Sequence, residues 1–229
     1  MKSMYHGSTN NEEVLSWGAE AIIVKTAFME LPAVKKIRVP KSYRCRELDI
    51  SLRKRRTLLE AKLMFYSIKN GVPTPVVYFI DLVNTTIVME YIEGKLLKEV
   101  ISGKDLSSVA VFLEKSGYYT GLLHEAGIVH GDLTTSNIMI REPAGDITFI
   151  DFGLGAFSKD YEDQSVDLHL FLRSLESTHY SIAYEAFKHF IKGYSKARGE
   201  NIAKKIQSKI KEIRMRGRYV SERKRKYEE

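Results

Sequence analysis

The sequence has a single cysteine, Cys45, among its 229 residues, so it cannot form a disulfide within one chain. It also has no apolar run long enough to span a bilayer, and the polar segment from Met1 to Asn11 lacks the apolar stretch of a secretory signal. We therefore expect a cytoplasmic protein without a membrane span. The hydrophobic fraction of 44% and the charged fraction of 28% exclude global disorder.

The net positive charge of the chain is concentrated at one end. The last stretch, from Lys196 to Glu229, carries 13 Lys/Arg and 5 Asp/Glu, a local balance of +8 against +7 for the whole chain. The remainder is therefore close to neutral. Such concentration favours a polyanionic partner for the C-terminal end, and a solvated charged helix is the alternative.

The first half of the chain has the residue pattern of strands around one long helix. Apolar residues recur at helical spacing from Ile50 to Asn70, and Asn70-Gly71 is a stop signal. Asn84-Thr85 predicts a hairpin between two strands. The predicted strands are Val14 to Lys25 with a bend at Gly18, Ala33 to Val39, Val76 to Val83 and Thr86 to Tyr91.

After a predicted hinge at Tyr91 to Gly94 the pattern becomes helical. The longest helix is predicted over Leu106 to Ala126, with Gly127 as its C-terminal cap. The further predicted elements are helices at Val166 to Leu175, Ile182 to Tyr194 and Ile202 to Ile213, and short strands at Ile128-Val129, Ile138 to Ile140 and Ile147 to Ile150. The sequence thus predicts an α+β chain with a strand-rich lobe (1–92), a helical lobe (93–213) and a basic tail (214–229).

Two short motifs carry the predicted chemistry: the stretch from His130 to Asn137, and Asp151-Phe152-Gly153 after the following hairpin. Magnesium prefers hard oxygen ligands, and Asn137 and Asp151 offer an amide oxygen and a carboxylate. Asp132 then remains to accept a proton from the attacking hydroxyl or water, or to orient it. Turn residues without any role are the alternative for either motif alone. The two motifs together predict phosphoryl transfer from Mg-ATP.

A lysine and a glutamate in the first half fit the same chemistry. Lys36 lies in strand-like sequence, and Lys35 should point to the opposite face. Glu60 is the acidic residue inside the predicted helix and is the expected partner of Lys36, as a phosphate-binding lysine requires. The alternative for Glu60 is an ordinary surface carboxylate near Arg56.

The predicted phosphate loop is poor in glycine. Ser16 and Ala21 stand where two of the three glycines of a kinase glycine loop would be, so only Gly18 remains. Glu20 adds negative charge there, and we expect it to reach Lys36 or the metal. The residues predicted to bind ATP are Gly18, Ala19, Glu20, Ala21, Ile23, Lys36, Glu60, Glu90 and Ile92.

The order and spacing of these motifs resemble those of protein kinases, which implies a bilobal protein-kinase-like fold. His130-Gly131-Asp132 stands in place of His-Arg-Asp, and about a dozen residues separate Gly153 from Asp167 with no Ala-Pro-Glu. The resemblance therefore implies a reduced C-lobe without a full activation segment. By the same resemblance, Asp167 braces the backbone of the His130 loop.

Further marks along the chain resemble a narrower family, the small atypical kinase subunit of the KEOPS (EKC) complex. They are Gly18 to Ala21, Arg38 to Arg44, Arg55 to Thr57, Val166 to Leu168, Ser177 to His179 and Arg214 to Arg218. This resemblance implies Ser/Thr autophosphorylation and ATP hydrolysis with Mg²⁺. It also implies support of the synthase subunit that makes threonylcarbamoyladenosine in tRNA, together with the other KEOPS subunits.

Two alternative functions remain open at this stage, and two basic regions are candidates for contact with a partner. A RIO-like kinase is one alternative, and a nucleotide-binding scaffold with little turnover is the other. The basic tail is predicted to contact RNA or the synthase, and a second basic zone at Lys41, Arg44 and Arg53 to Arg56 is a weaker candidate. The predicted contact residues of the tail are Arg214, Arg216, Arg218, Arg223, Lys224 and Arg225.

Overall fold

The computed structural model describes residues 12–102 and 105–228, with side chains as far as residue 216. The chain divides into two compact units. The first unit contains the described residues up to Lys62 together with Pro75–Ile92, and the second contains Leu63–Thr74 and what is described from Glu93 onward. Within these ranges no helix is both long enough and apolar enough to cross a membrane.

A five-stranded antiparallel sheet is the core of the first unit, with the strand order β1-β2-β3-β5-β4. Its β-branched residues favour the extended backbone, and Gly18 ends the first strand as predicted. Strands β4 and β5 pair directly, which confirms the predicted hairpin. The strands are β1 Glu13–Trp17, β2 Ala21–Phe28, β3 Leu31–Arg38, β4 Val77–Asp81 and β5 Thr86–Glu90.

The long helix α1 (Arg46–Lys69) begins four residues before the predicted start. The apolar pattern did not reveal this first turn because its one large apolar residue, Leu48, is exposed. Polar contacts hold it instead: the Asp49 backbone N–H donates to Cys45 O at 3.0 Å, and Arg53 donates to the Asp49 carboxylate at 2.7 Å. The predicted end near Asn70-Gly71 is confirmed.

The segment Leu63–Thr74 belongs to the second unit, whereas the sequence placed it in the first lobe. Leu63 is fully buried, and its side chain lies against Gly155. The backbone N–H of Phe149 also donates to Pro73 O at 2.9 Å. These contacts join residues that are far apart in the chain, so no local pattern could predict them.

Helices make up most of the second unit, together with short strands in two small sheets. The long helix α3 and its Gly127 cap, at φ +70°, confirm the prediction for that region. The helices are α2 Leu97–Ile101, α3 Leu106–Glu125, α4 Tyr161–Thr178, α5 Ala183–Arg198 and α6 Glu200–Glu228, with a 3₁₀ turn at Tyr180–Ile182. The strands are β6 Gly94–Leu96, β7 Ile128–Val129, β8 Ile138–Arg141, β9 Ile147–Phe149 and β10 Ala156–Phe157.

Helix α6 continues through the region that the sequence set apart as a basic tail. The predicted helix ended at Ile213, but the helical backbone runs on to Glu228. The prediction ended there because the apolar period stops, and charged residues without such a period still favour a helix when their intrinsic propensity is high. β6, α2 and β10 were not predicted, since elements of two to five residues are too short for a periodic signal.

Glycines allow helices α3 and α5 to approach each other closely. A Cβ atom at Gly117 would lie 1.8 Å from Phe190 O, and one at Gly193 would lie 1.8 Å from Glu114 O. The two clashes are reciprocal, so backbone meets backbone on both sides of the interface. This contact places the C-terminal end of α3, which leads into the His130 loop.

We expect Gly193→Ala to destabilise the protein. Relief of the clash with Glu114 O requires α3 and α5 to separate, and overpacking of this kind costs about 1–3 kcal/mol, of which the better helix propensity of alanine recovers up to about 1 kcal/mol. Urea unfolding measures the difference, with Ser195→Ala on the same helix as control. Equal stability of Gly193→Ala and wild type would mean that the two helices are not in backbone contact.

Candidate active site

The first unit contains the predicted ion pair between Lys36 on β3 and Glu60 on α1. Lys36 Nζ donates to Glu60 Oε1 at 2.6 Å, and the two residues are 5% and 1% exposed. Lys35 points to the opposite face, as alternation along the strand predicted, and pairs with Glu12. The interpretation of Glu60 as a surface carboxylate near Arg56 is therefore wrong. The role of Lys36 on nucleotide phosphate stays a prediction.

Arg38 is a third member of this buried cluster, and its contact with Glu60 was not predicted. Its Nη2 donates to Glu60 Oε2 at 2.5 Å, and the residue is 4% exposed. Arg38 lies two positions after Lys36 on the same strand, so both side chains point to the same face. That spacing was the one signal that could have predicted it.

The predicted phosphate loop forms a tight turn between β1 and β2. The Gly18 backbone N–H donates to Ala21 O at 2.9 Å, and Lys41 Nζ donates to Ala19 O. Glu20 does not contact Lys36, which was one of its two predicted partners: its carboxylate lies 3.1 Å from Arg56 Nη1 and 3.6 Å from Lys41 Nζ. The reason is position, because Glu20 is exposed at the turn while Lys36 is buried on the strand. The predicted contact of Glu20 with the metal stays a prediction.

The remaining residues predicted to bind ATP lie on or next to the same sheet. Ile23 pairs with Lys36 in the β2–β3 register, and Ala21 is buried at the start of β2. Glu90 ends β5, and its backbone and carboxylate both contact the backbone of Val76. Ile92 is buried just after the strand. The nucleotide-binding role of this set stays a prediction.

The second unit brings Asp132 and Asn137 together. Asn137 Nδ2 donates to Asp132 Oδ2 and to the Asp132 carbonyl, both at 2.8 Å. The loop between them is closed by backbone hydrogen bonds from Asn137 N to Thr134 O and from Ile150 N to Asn137 O. Because the amide nitrogen is engaged with Asp132, the orientation of the Asn137 amide is set and its Oδ1 points the other way.

Asp151 has a left-handed backbone conformation, with φ of +61°. Aspartate tolerates this region better than most residues, and such strained positions concentrate at functional sites. The Gly153 backbone N–H donates to Asp151 Oδ1 at 3.1 Å, and Phe152 is buried with its ring centroid 4.6 Å from that of His130. The Gly153 contact thereby orients the exposed carboxylate of Asp151.

Asp167 on α4 braces the loop as the resemblance implied, and this prediction is confirmed. Its Oδ2 accepts the backbone N–H of His130 at 2.5 Å and its Oδ1 that of Gly131 at 2.8 Å. His124 Nε2 lies 3.3 Å from Oδ2, and since a carboxylate only accepts, this nitrogen donates. His124 Nδ1 lies 3.0 Å from the Tyr194 hydroxyl. Burial raises the pKa of Tyr194 to about 12, so the hydroxyl keeps its proton.

His130 is a neutral structural residue of the loop. Burial lowers its pKa below the ordinary value, against the opposing effect of the nearby Asp167, Asp151 and Asp132 charges. Its Nε2 lies 3.1 Å from Ile150 O, which can only accept, so the proton is on Nε2. Nδ1 then faces the Asp132 backbone N–H at 3.4 Å. His130 therefore links the two motifs through both nitrogens of its ring.

Gly131 explains why the usual arginine is missing from this loop. Its φ is +79°, and a Cβ atom would lie 2.1 Å from Leu154 O. No side chain fits between these two backbone segments. The replacement of arginine by glycine is thus tied to the close approach of the segment that follows Asp151-Phe152-Gly153.

The residues in the second unit fit a magnesium ion bound together with phosphates. Among the described side chains, no group of three or more His, Cys, Asp or Glu could hold a metal by itself. Magnesium commonly uses one or two protein oxygens and takes its other ligands from water and phosphate. The Asp151 carboxylate and the Oδ1 atom of Asn137 are oxygens of that kind.

The basic residues at the C-terminal end are partly engaged in ion pairs. Arg214 Nη1 lies 2.7 Å from Glu176, and Arg216 Nη1 lies 2.8 Å from Glu162, both on α4. Exposed pairs of this kind contribute about 0–1 kcal/mol each and exchange partners readily. The other predicted contact residues, Arg218, Arg223, Lys224 and Arg225, lie beyond the side chains that the structure describes.

The fold and the loop together define a protein kinase domain. The family model "Protein kinase domain" matches residues 20–214. Two solved structures share the fold over most of the chain. The Rio2 kinase from Chaetomium thermophilum, solved as an ADP/Mg²⁺-phosphoaspartate complex, has a TM-score of 0.60 at 20% identity and covers 91% of this chain and 71% of its own. WaaP in complex with acyl carrier protein has a TM-score of 0.64 at 14% identity, with coverage of 92% and 89%.

Comparison with sequence relatives assigns the chain to a narrower family within the protein kinases. The KEOPS complex subunit Bud32 of Pyrococcus abyssi is 45% identical over 213 residues, which cover 90% of this chain and 96% of the relative. The chain therefore belongs to the Bud32 family of protein-kinase-like KEOPS subunits. A "probable bifunctional tRNA threonylcarbamoyladenosine biosynthesis protein" of Methanobrevibacter smithii is 44% identical over 209 residues. Those residues cover 91% of this chain but only 37% of that relative.

Proposed function

We propose that this protein is an Mg-ATP-dependent enzyme, an autophosphorylating Ser/Thr protein kinase and ATPase. We further propose that it supports tRNA threonylcarbamoyladenosine formation as a KEOPS subunit. The observation that carries the proposal is the hydrogen bond from the Asn137 amide to the Asp132 carboxylate, in a loop braced by Asp167. It supports phosphoryl transfer because it aims one carboxylate and one amide oxygen in different directions from a rigid loop.

Each polar side chain of the loop then has a distinct task. Asp132 orients the attacking hydroxyl or water through the carboxylate oxygen that Asn137 leaves to it, and accepts the proton as the bond to phosphorus forms. Asn137 Oδ1 and the Asp151 carboxylate are the protein oxygens that would hold magnesium. When bound, magnesium neutralises charge on the transferred phosphoryl group.

The buried pair in the first unit supplies positive charge for the phosphates. In protein kinases a strand lysine paired with a helix glutamate contacts the α- and β-phosphates. Lys36 on β3 and Glu60 on α1 have the same element types and a hydrogen bond of 2.6 Å. Burial on both sides keeps the pair out of bulk water, which strengthens its electrostatic effect.

The short segment after Asp151-Phe152-Gly153 favours ATP hydrolysis and autophosphorylation over a broad set of protein substrates. Helix α4 begins at Tyr161, so the segment has no room for the folded activation loop on which most kinases dock a peptide. Gly131, in place of arginine, also removes the residue that would contact a phosphorylated loop. Water and the protein's own hydroxyl groups are therefore the expected acceptors.

The relatives support a partner in tRNA modification. In the bifunctional relative of Methanobrevibacter smithii the matching region is only 37% of a longer chain, and the name of that relative assigns it to tRNA threonylcarbamoyladenosine biosynthesis. We propose that this protein works together with the threonylcarbamoyl synthase and with other KEOPS subunits. We further propose that Arg214, Arg216, Arg218, Arg223, Lys224 and Arg225 contact tRNA phosphates.

One observation favours a second candidate, a nucleotide-binding scaffold with little turnover. The Gly18 backbone N–H, the one glycine donor left in this loop, is engaged with Ala21 O and is not available to a phosphate. A RIO-like kinase, by contrast, has only the likeness of fold in its favour.

Titration calorimetry with Mg-ATP, paired with release of radiolabelled phosphate, tests the proposal. We expect binding, steady phosphate release and labelling of the protein itself. Chelation of magnesium should weaken the binding and abolish the release and the labelling. Binding without release or labelling would favour the scaffold, and no binding would contradict both. Affinity purification tests the partners: recovery of the threonylcarbamoyl synthase and tRNA supports the proposal, whereas small-subunit precursors would indicate the RIO-like alternative.

A further inference from the structure

Two buried cations share one carboxylate in the first unit. Glu60 is 1% exposed, and each of its oxygens accepts from a different side chain of β3: Oε1 from Lys36 Nζ at 2.6 Å and Oε2 from Arg38 Nη2 at 2.5 Å. The usual kinase arrangement needs only the lysine and the glutamate. Arg38 makes the pair into a triad.

The strand and its neighbour hold Arg38 firmly at this place. Arg38 is the last residue of β3, its backbone N–H donates to Thr85 O at 3.2 Å, and its side chain is 4% exposed. Its Nε is buried and has no hydrogen-bond partner. An unpaired buried donor is costly, so arginine is a poor residue here for stability alone. What it gains is the contact with Glu60.

The contact changes what Glu60 does to Lys36. Without Arg38, both carboxylate oxygens would face the Lys36 ammonium, a compact charge with three donors. With Arg38 on Oε2, Lys36 is bound through one oxygen, and part of the negative charge of Glu60 is already neutralised. The positive field of the ammonium is then cancelled less by Glu60 and acts more strongly on a second anion.

We propose that Arg38 is a positioning residue that acts through Glu60 on Lys36 and thereby sets the affinity of the protein for nucleotide phosphates. This inference rests on the proposed function, in which Lys36 contacts the phosphates of Mg-ATP. Arg38 itself touches no substrate. Arg38 weakens the electrostatic attraction between the Glu60 carboxylate and the Lys36 ammonium.

Nucleotide affinity in Lys36 and Arg38 variants tests this inference. We expect Arg38→Met to weaken Mg-ATP and Mg-ADP binding about tenfold by calorimetry, and to raise KM for ATP by a similar factor while kcat changes less than about threefold. Arg38→Lys should recover part of the loss because it restores the charge. Lys35→Met, on the exposed face of the same strand, is the matched control and should bind as wild type.

A double-variant cycle separates action through Lys36 from a structural effect. If Arg38 acts through Lys36, Lys36→Met with Arg38→Met binds no more weakly than Lys36→Met alone. Additive losses, or unchanged affinity of Arg38→Met, would overturn this inference alone. Wild-type affinity of Lys36→Met would overturn the proposed phosphate role together with it. Arg38→Gln serves as a second neutral variant, and thermal unfolding of each confirms that folded protein is compared.

Discussion

Asp132→Ala should lower phosphate release from ATP and autophosphorylation by about 10²–10⁴-fold, the range that a positioned general base contributes. Affinity for Mg-ATP should stay within about threefold of wild type, because in this arrangement Asp132 acts on the attacking group and leaves the metal to Asn137 and Asp151. The effect would thus appear in kcat and not in binding. Radiolabelled phosphate release and calorimetry on the same preparation measure the two quantities.

Asp132→Asn makes the test sharper. The amide oxygen can still accept from Asn137 Nδ2, so the hydrogen bond of 2.8 Å and the loop that depends on it are retained while the basic group is lost. We expect turnover as low as in the alanine variant. Asp146→Ala, an exposed carboxylate 3.7 Å from Lys115, is the control and should be fully active. Full turnover in either Asp132 variant would show that the proton acceptor lies elsewhere.

Asp151→Ala is expected to have the second large effect, the loss of magnesium dependence. With this carboxylate removed, only the neutral Oδ1 of Asn137 remains from the two proposed protein ligands. ATP hydrolysis should fall at least about 10³-fold, since the electrostatic stabilisation of the transferring group is lost with the metal. ATP affinity should fall to the value that wild type shows with a chelator present.

A magnesium titration of ATP binding distinguishes this result from simple unfolding. Wild type and Asp146→Ala should bind ATP more tightly as magnesium is added, and Asp151→Ala should give a flat response. Circular dichroism should show the same helix content in all three, because Asp151 is exposed and lies outside the helices. An Asp151→Ala protein that kept the magnesium response would place the metal on other residues.

The loop that contains Asp132 and Asn137 could be predicted because its signal is local. Asp132 and Asn137 are five positions apart, and the turn between them is closed by hydrogen bonds within the same segment. Helix α3 and its Gly127 cap were likewise predictable, because the helical period of apolar residues extends over a helix of 20 residues and a single glycine follows it. The Lys36–Glu60 pair could be predicted from two local signals. Alternation along the strand separated Lys36 from Lys35, and Glu60 is the one acidic residue in the central part of α1.

Other features depend on contacts that no local pattern contains. Arg38 contacts Glu60 because β3 and α1 lie side by side in the fold. Glu20 likewise contacts Arg56 and Lys41, which are distant from it in the chain. The interface of Gly117 and Gly193 is of the same kind, since each glycine is needed only by the backbone of the other helix. The sequence contains these residues, but it does not show which residues contact them in the folded protein.

The amino-acid sequence by itself determined the types of the longer elements, the two motifs at His130–Asn137 and Asp151–Gly153, and the family. These follow from short-range periodicity, turn chemistry and residue spacing, which act within a few positions of the chain. The tertiary structure alone decided which charges meet in the buried interior: two cations on Glu60, and two backbone N–H groups and His124 on Asp167. Burial is the physical reason, because an ionised group withdrawn from water must find its partners wherever the fold places them.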